Sequence, residues 1–377
     1  LAHIPFNRPF FTGKEFEYIR QALECGQLSS GGSFGARTEK LLEETLGAPR
    51  VLLTSSCTHA LEMAALLLDI QPGDEVIVPT FTFVSTVNAF VNFGARPVFV
   101  DIRPETLNLD EAQVESRMTP HTRAIVPVHY GGVGCDLTRL TDIAARRHVA
   151  IVEDNAHGLF GRYRGRYLGT FGAVAAQSFH ETKNFTCGEG GALVINDPAL
   201  VARAEILRDK GTDRSRFFRG EVDKYTWVDV GSSWGMPELL AAFLYAQLED
   251  RERIWELRRQ AWDYYHAGIA GWASESGVGT PLVPSFCAQA YHMYYLLLPS
   301  LAARQALIAH LREREILGIF HYQPLHLSAM GMKFGGRPGD HPVAESVSDR
   351  LLRIPLYNQI TREEQDRVIA ALHEFAV

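Results

Sequence analysis

Short apolar runs alternate with longer amphipathic stretches through the first half of the chain, which predicts strands separated by helices. Residues 50–54, 75–79, 97–101, 124–128, 149–153 and 171–177 read as strands, being apolar along their length and bounded by turn residues. Helices are expected near 38–46, 60–68, 83–93, 110–117 and 137–147. Apolar strands joined through helices imply right-handed βαβ units and a largely parallel sheet covered on both faces. Residues 192–195 are a further strand, expected to close a hairpin with the one that ends before Ser178. Ahead of this alternation lie a helix near 16–23 and a polar glycine-serine loop, which suits either a linker or the wall of a site.

The pattern changes after a long helical stretch over 237–265, the expected bridge between two parts of the chain. Beyond it come a strand at 293–298, a helix over 302–317 and a last helix over 362–375. At 377 residues the chain exceeds the size at which single cores stop growing. Two domains are expected, a large one over 1–248 and a smaller C-terminal α+β one over 249–377.

Composition narrows the function without naming it. Hydrophobic residues at 46% and charged residues at 21% are ordinary for a globular enzyme. A net charge of −7, with no basic cluster among aromatics, argues against nucleic acid as a partner. The five cysteines are scattered and lack C-x-x-C spacing, which fits a reducing compartment and supports neither a disulfide framework nor a metal site. No apolar run has the length of a membrane span, and the first residues lack a signal peptide's basic and apolar regions, so a cytoplasmic setting is expected.

Candidate chemistry gathers at predicted strand ends, where open α/β sheets bind ligands. Ser178-Phe-His-Glu-Thr-Lys183 follows the apolar run 171–177, with Phe179 and Phe185 on either side of Lys183 and a glycine turn behind it. A lysine in an apolar pocket loses its proton more easily, because desolvation disfavours the charged form, and the neutral amine attacks aldehydes. Ser56, Cys57 and Thr58 open a helix after the first strand, where free N–H groups suit a phosphate. Asp154, after the strand 149–153, can accept a pyridinium N–H, and Phe83 can stack on a planar ring. Each has a plainer explanation taken singly: a surface lysine, a helix cap, a turn aspartate, a core aromatic. Together they are the set pyridoxal 5′-phosphate (PLP) requires. Fingerprints for dinucleotides and for P-loop nucleotides are absent from the sequence.

Several strings also carry a resemblance: the run from Thr54 to Asp74, Phe81-Thr-Phe-Val-Ser-Thr, Pro127-Val-His-Tyr130, Glu153-Asp154, Ser178-Phe-His-Glu-Thr-Lys183-Asn, Asp223-Lys-Tyr-Thr-Trp227 and Phe320-His-Tyr-Gln-Pro-Leu-His326. The chain resembles the sugar-nucleotide aminotransferases from end to end, and within them those that make dTDP-4-amino-4,6-dideoxygalactose for surface polysaccharides. The resemblance implies PLP fold type I, like aspartate aminotransferase, and a homodimer with active sites at the subunit interface. It implies a dTDP-linked keto sugar and L-glutamate as substrates. Lys183 matches the family's Schiff-base lysine and Asp154 its pyridinium partner. His157 matches a contact to the cofactor's phenolic oxygen, Ser178 with Ser56, Cys57 and Thr58 the phosphate contacts, and Phe83 the stacking ring. Many relatives reach the neighbouring subunit's phosphate through an asparagine in a G-x-N-x-R-M string. Here Gly231-Ser-Ser-Trp-Gly-Met236 puts Ser233 at the asparagine and Gly235 at the arginine. The turn Thr186-Cys-Gly-Glu-Gly-Gly191 is one residue shorter than in similar chains, and Asn155 replaces a small residue. Tyr322 and His326 are weaker candidates for nucleotide contact. Related PLP-dependent sugar dehydratases carry histidine in place of the lysine, so Lys183 speaks against that chemistry. The intact Lys183/Asp154 pair speaks against a non-catalytic sugar-nucleotide binder. No motif fixes which face of the sugar receives the amine.

Overall fold

A computed structural model of the protein describes residues 3–376. Nine strands precede residue 196 among the described residues: β1 (Arg50–Thr54), β2 (Glu75–Pro79), β3 (Arg96–Val100), β4 (Thr122–Ile125), β5 (Ala150–Asp154), β6 (Arg162–Tyr163), β7 (Arg166–Tyr167), β8 (Val174–Ser178) and β9 (Gly191–Ile195). Seven of them form one sheet in the order β1-β9-β8-β5-β4-β2-β3. The pairings β2 with β3 and β4, β4 with β5 and β5 with β8 are parallel, and only β9 runs against its neighbours β1 and β8. The α/β expectation of a mostly parallel sheet holds, and β8–β9 is the expected antiparallel pair.

The middle residues of the large sheet's strands are apolar because both faces are covered. Leu52, Val152, Val174, Ala176 and Leu193 point into one core with the helix Cys57–Leu67. Their neighbours Val51, Leu53, Ala175, Ala192 and Val194 point into another, against the helices Ser33–Leu46 and Glu238–Glu249. That alternation is the period of a pleated strand with no solvent side.

The helix expected over 237–265 is two. Glu238–Glu249 ends at Asp250, whose φ of −98° and ψ of 21° leave helical geometry, and Arg251–Glu275 begins at the next residue. Apolar periodicity does not register a break of one residue. The first helix packs on the large sheet, whereas Ala261, Trp262, Tyr265 and Ile269 of the second enter the C-terminal core. Ile4 joins that core too and bridges to Ile316. There β11 (Tyr294–Leu297) pairs antiparallel with β12 (Leu351–Ile354), a strand the sequence pattern did not announce. A shorter pairing ties β10 (Cys287–Ala288) to the β6–β7 hairpin.

Because β1, β2, β5 and β8 run the same way, their carboxyl ends share one edge. β9, running opposite, starts at that edge with Gly191, which sits between Thr54 and Ser178. A Cβ on Gly191 would lie 2.4 Å from the amide nitrogen of Cys57 and 2.4 Å from the carbonyl carbon of Ser56. Only glycine lets the Ser56–Cys57 turn cross so close. Gly191→Ala is expected to push that turn outward, costing about 1–3 kcal/mol of stability by overpacking and weakening PLP affinity; thermal melts and cofactor titration check both.

Candidate active site

The shared edge opens into a cavity of about 640 Å³ between the large sheet and the C-terminal layer. Lys183, Asp154, His157, Ser178, Ser56, Cys57, Thr58 and Phe83 all line it. Ser233 does not; it is exposed, and its backbone bridges to Asp209.

Asp154 ends β5 and is buried at 5% exposure. Its Oδ2 accepts from the Thr86 hydroxyl at 2.7 Å and its Oδ1 from the Ala156 N–H at 3.1 Å. Thr86 is in turn 2.9 Å from the Thr82 hydroxyl. No ion pair to Asp154 occurs among the described residues, so a buried carboxylate borders the cavity without a cation of its own. Its predecessor Glu153 points the other way and anchors the strand end. Glu153 accepts from His129 Nε2 at 2.9 Å and from the amides of Gly169, Phe171 and Gly172 at 2.8, 2.6 and 2.7 Å. Burial pushes its pKa up, but these donors outweigh burial and hold the carboxyl below the usual range.

Lys183 lies in the turn after β8, half-buried at the cavity wall. Its amide donates to the His180 carbonyl at 2.9 Å. Phe179 and Phe185 do not wall the lysine as its sequence neighbours suggested. They are buried in the core beneath and pin the turn from below. Desolvation lowers the Lys183 pKa to about 8, helped by the Arg353 cation and opposed by Cys57 and Asp154. At pH 7 roughly a tenth of the side chain is then the neutral amine, against less than about a thousandth for an ordinary lysine. Capture of added PLP by the cofactor-free chain should therefore speed up about tenfold per pH unit up to pH 8 and level off above it, as stopped-flow absorbance would show. A midpoint near 10 would contradict the burial that the structure shows.

The helix Cys57–Leu67 supplies the anion corner. Ser56 caps it, its hydroxyl accepting from the His59 N–H at 3.1 Å. The first-turn amides of Cys57 and Thr58 have no intrahelical acceptor, and both residues line the cavity. Thr58 donates its hydroxyl to Ser85 at 2.8 Å, closing one side, and Ser178 lines the other from the end of β8. Burial drives the Cys57 thiol well above its ordinary range, so it stays protonated.

His157 stacks on His292 with centroids 4.2 Å apart and planes 18° apart. Its Nδ1 is buried without a protein partner. Burial, then the Lys183 and Arg353 charges, hold it well below the ordinary histidine range, so the imidazole is neutral and free to bond a ligand. Phe83 is 57% exposed into the opening, its ring 6.4 Å from that of Tyr322. Tyr322 lines the cavity, whereas His326 lies outside it, fully buried between Thr80 Oγ1 at 2.7 Å and Glu345 Oε1 at 3.0 Å. Asn155 is structural: its amide donates to the Leu168 carbonyl and to Gln177, both at 3.1 Å.

Sequence reasoning did not reach Thr86 as Asp154's support, nor His292, His321 and Arg353, which line the cavity from the C-terminal layer. His292 and Lys183 are linked through Asn184, whose Oδ1 lies 2.9 Å from His292 Nδ1. Asn184 follows Lys183 directly and was the one available signal. Among the described residues no cluster of histidine, cysteine and carboxylates could hold a metal ion, and no helix is long and apolar enough to cross a membrane.

The cavity fits PLP on its own terms. An unpaired carboxylate awaits a cationic ring nitrogen, a buried imidazole nitrogen lacks a partner, and the helix amides face a place kept open by Gly191. Fold and cavity together define a class, the enzymes that hold this cofactor at the strand ends of a mostly parallel sheet. The DegT/DnrJ/EryC1/StrS aminotransferase family matches residues 11–373, and the chain belongs to it. It is 32% identical to the spore coat polysaccharide biosynthesis protein SpsC of Bacillus subtilis, over 98% of this chain and 96% of that one. It is 31% identical to the GDP-perosamine synthase of Escherichia coli O157:H7, over 100% and 99%. The PLP form of the putative sugar aminotransferase Spr1654 from Streptococcus pneumoniae superposes with a TM-score of 0.91 at 27% identity, covering 99% of this chain and 98% of that one. The protein is a PLP-dependent sugar aminotransferase with the type I fold.

Proposed function

We propose that the chain moves the amino group of L-glutamate to C4 of dTDP-4-keto-6-deoxy-D-glucose, giving dTDP-4-amino-4,6-dideoxygalactose for surface polysaccharide synthesis. The observation that carries the reaction is the convergence of Lys183 and Asp154 on one cavity beside the Ser56–Thr58 anion corner. The choice of sugar rests on the sequence strings around Lys183 and Phe83. The relatives named as GDP-perosamine synthases support a second reading, in which the sugar is carried by GDP.

Bound PLP supplies an aldehyde that takes up amino groups and a protonated ring that draws electrons from the reacting carbon. Asp154, its carboxylate held by Thr86 and Ala156, would accept the ring N–H and keep that proton in place. Cys57, Thr58 and Ser178 would hold the phosphate, and Phe83 would cover the ring. His157 would meet the phenolic oxygen through a nitrogen that the protein leaves unbonded. Lys183 Nζ, its pKa lowered to about 8, would hold the aldehyde as a nucleophile. When free, the same nitrogen would carry a proton to and from the reacting carbon of the donor and of the sugar.

The assembly proposed is a homodimer with active sites at the subunit boundary. It is supported by exposed apolar side chains between Phe217 and Val230, among them Phe218 at 68% and Trp227 at 80% exposure. In that assembly Ser233, exposed and outside its own chain's cavity, is the residue proposed to reach the phosphate of the other subunit. Mixing the holoenzyme with glutamate and either dTDP-4-keto-6-deoxyglucose or its GDP-linked counterpart, followed by NMR of the sugar, tests the proposal. An axial amine at C4 from the dTDP sugar supports it and an equatorial one gives the gluco product. Turnover only with the GDP sugar establishes the second reading.

A further inference from the structure

The turn that carries Lys183 is closed at its base by its own backbone. Glu181 donates to the Gly188 carbonyl at 2.8 Å and Cys187 to that of Phe179 at 3.0 Å. Its tip is tied elsewhere. Asn184, buried at 8% exposure, donates through Nδ2 to the Ala290 carbonyl at 2.6 Å and places Oδ1 2.9 Å from His292 Nδ1. Among the described residues no other hydrogen bond joins residues 180–187 to the C-terminal layer. A carbonyl only accepts, so the Asn184 amide nitrogen faces Ala290 and the oxygen faces the ring. His292 Nδ1 therefore carries a hydrogen and donates it to Asn184.

The segment that receives this tether is itself held on two sides. The Ala290 N–H donates to the Gly132 carbonyl at 3.0 Å. Arg258, from the helix Arg251–Glu275, donates to the Tyr291 and His292 carbonyls at 2.8 and 2.6 Å. Between these bonds Tyr291 takes a φ of 53°, a left-handed conformation that is unfavourable for a bulky side chain. Such strain persists only where the surroundings over-determine it, and it clusters at functional sites.

This anchor brings the His292 ring to the cavity wall. Burial, then the His157, Lys183, Arg353 and Arg258 side chains, hold its pKa well below the ordinary histidine range, so the ring is neutral. His157 lies face to face with it, 4.2 Å between centroids. Among the described residues no hydrogen bond fixes the His157 ring, and its Nδ1 is buried without a partner. Its plane is set by packing, against the His292 face and the Tyr130 ring 6.0 Å away. One side chain thus meets both the residue beside Lys183 and the ring of His157.

We infer that Asn184 and His292 are positioning residues for transamination: the bond between them registers the Lys183 turn against the cavity roof, and the His292 face sets the plane of His157. Neither role needs contact with a substrate. The inference rests on the tasks proposed for Lys183 and His157.

Two substitutions take the roles apart. The amide nitrogen of asparagine stands in for imidazole Nδ1, so His292→Asn keeps the bond to Asn184 and loses the stack. His292→Phe keeps the stack and loses the bond, as does Asn184→Ala. The first measurement is the pH midpoint of PLP capture by the cofactor-free chain, set by Lys183 among Cys57, Asp154 and Arg353. It should stay near that of the unaltered chain in H292N and rise by about one unit in H292F and N184A, as the loosened turn lets water reach the amine. The second is calorimetry with 4′-deoxypyridoxine 5′-phosphate, which has the ring, phenol and phosphate but no aldehyde for Lys183. Its affinity should fall about tenfold in H292N, the worth of roughly one hydrogen bond, and hold in H292F. In the holoenzyme, kcat should fall about 10²-fold in H292F and N184A, the effect of a misplaced reacting group. Lower melting temperatures with unchanged midpoint, affinity and kcat would make the pair mere packing and overturn the inference. Identical behaviour of H292N and H292F in both measurements would overturn it too. Should the variants fail to fold, nitrogen NMR of the unaltered, histidine-labelled protein still decides: a charged His292, or one protonated at Nε2 alone, removes the tether. Lys183→Ala, run alongside, keeps the two readings apart. An inactive K183A beside unaffected Asn184 and His292 variants removes only this inference, whereas an active K183A removes the proposed task of Lys183 and the inference with it.

Discussion

Lys183→Ala should lower transamination by about 10⁴-fold or more, equal to a loss of roughly 5 kcal/mol of transition-state stabilisation, while leaving the chain folded. The size follows from two tasks resting on one nitrogen, attachment of the aldehyde and proton movement at the reacting carbon. No neighbour can take over. Cys57 is held protonated by burial, and His157 and His292 are buried at the ring stack with their basicity suppressed. Stability should hardly change, because Lys183 is half-buried and makes no ion pair among the described residues, and its removal relieves repulsion with Arg353. The two halves of the result are measured separately, turnover by NMR of the amino sugar and folding by thermal melt. Bound PLP should also lose the absorbance of a lysine-linked aldehyde. Turnover within about tenfold of the unaltered enzyme would remove Lys183 from the mechanism.

The large sheet was legible because a strand buried on both faces has no polar position to blur it. The bounds of β1 and β2 follow from the apolar runs alone, and β8–β9 follows from the glycine turn between them. The cavity's floor was legible for a related reason. Parallel strands bring their carboxyl ends to one edge, so Ser56, Asp154, Ser178 and Lys183 had to meet once the strands were placed. The roof was not. β12 holds Leu-Leu-Arg-Ile, four residues with a charge in the third place, and no periodicity marks so short a strand. Its partner β11 lies more than fifty residues earlier, a separation that only the folded C-terminal layer closes. Nothing in the pattern therefore singles out Arg353 or His292, and His321 enters only within the Phe320–His326 string, until that layer folds over the sheet.

Asp154→Asn should cut kcat by two to three orders of magnitude, roughly 3–4 kcal/mol, with a smaller loss in cofactor affinity. The substitution isolates charge from shape. Ionised Asp154 accepts from Thr86, and Thr86 can accept from Thr82 in turn. With asparagine, the amide can donate to Thr86 and the hydroxyls reverse, so the chain of hydrogen bonds persists. The Ala156 N–H can still be met by the amide oxygen. Packing and melting temperature should therefore change little, whereas Asp154→Ala would strand both donors at about 1–3 kcal/mol each. What asparagine cannot do is balance a cationic ring nitrogen inside a site that already contains the Lys183 and Arg353 cations. Without that balance the ring proton leaves more readily and the electron demand on the reacting carbon falls. The loss should appear in both half-reactions, with glutamate and with the sugar, because both draw on the same ring. A loss confined to one would mean that Asp154 contacts a substrate instead of the cofactor.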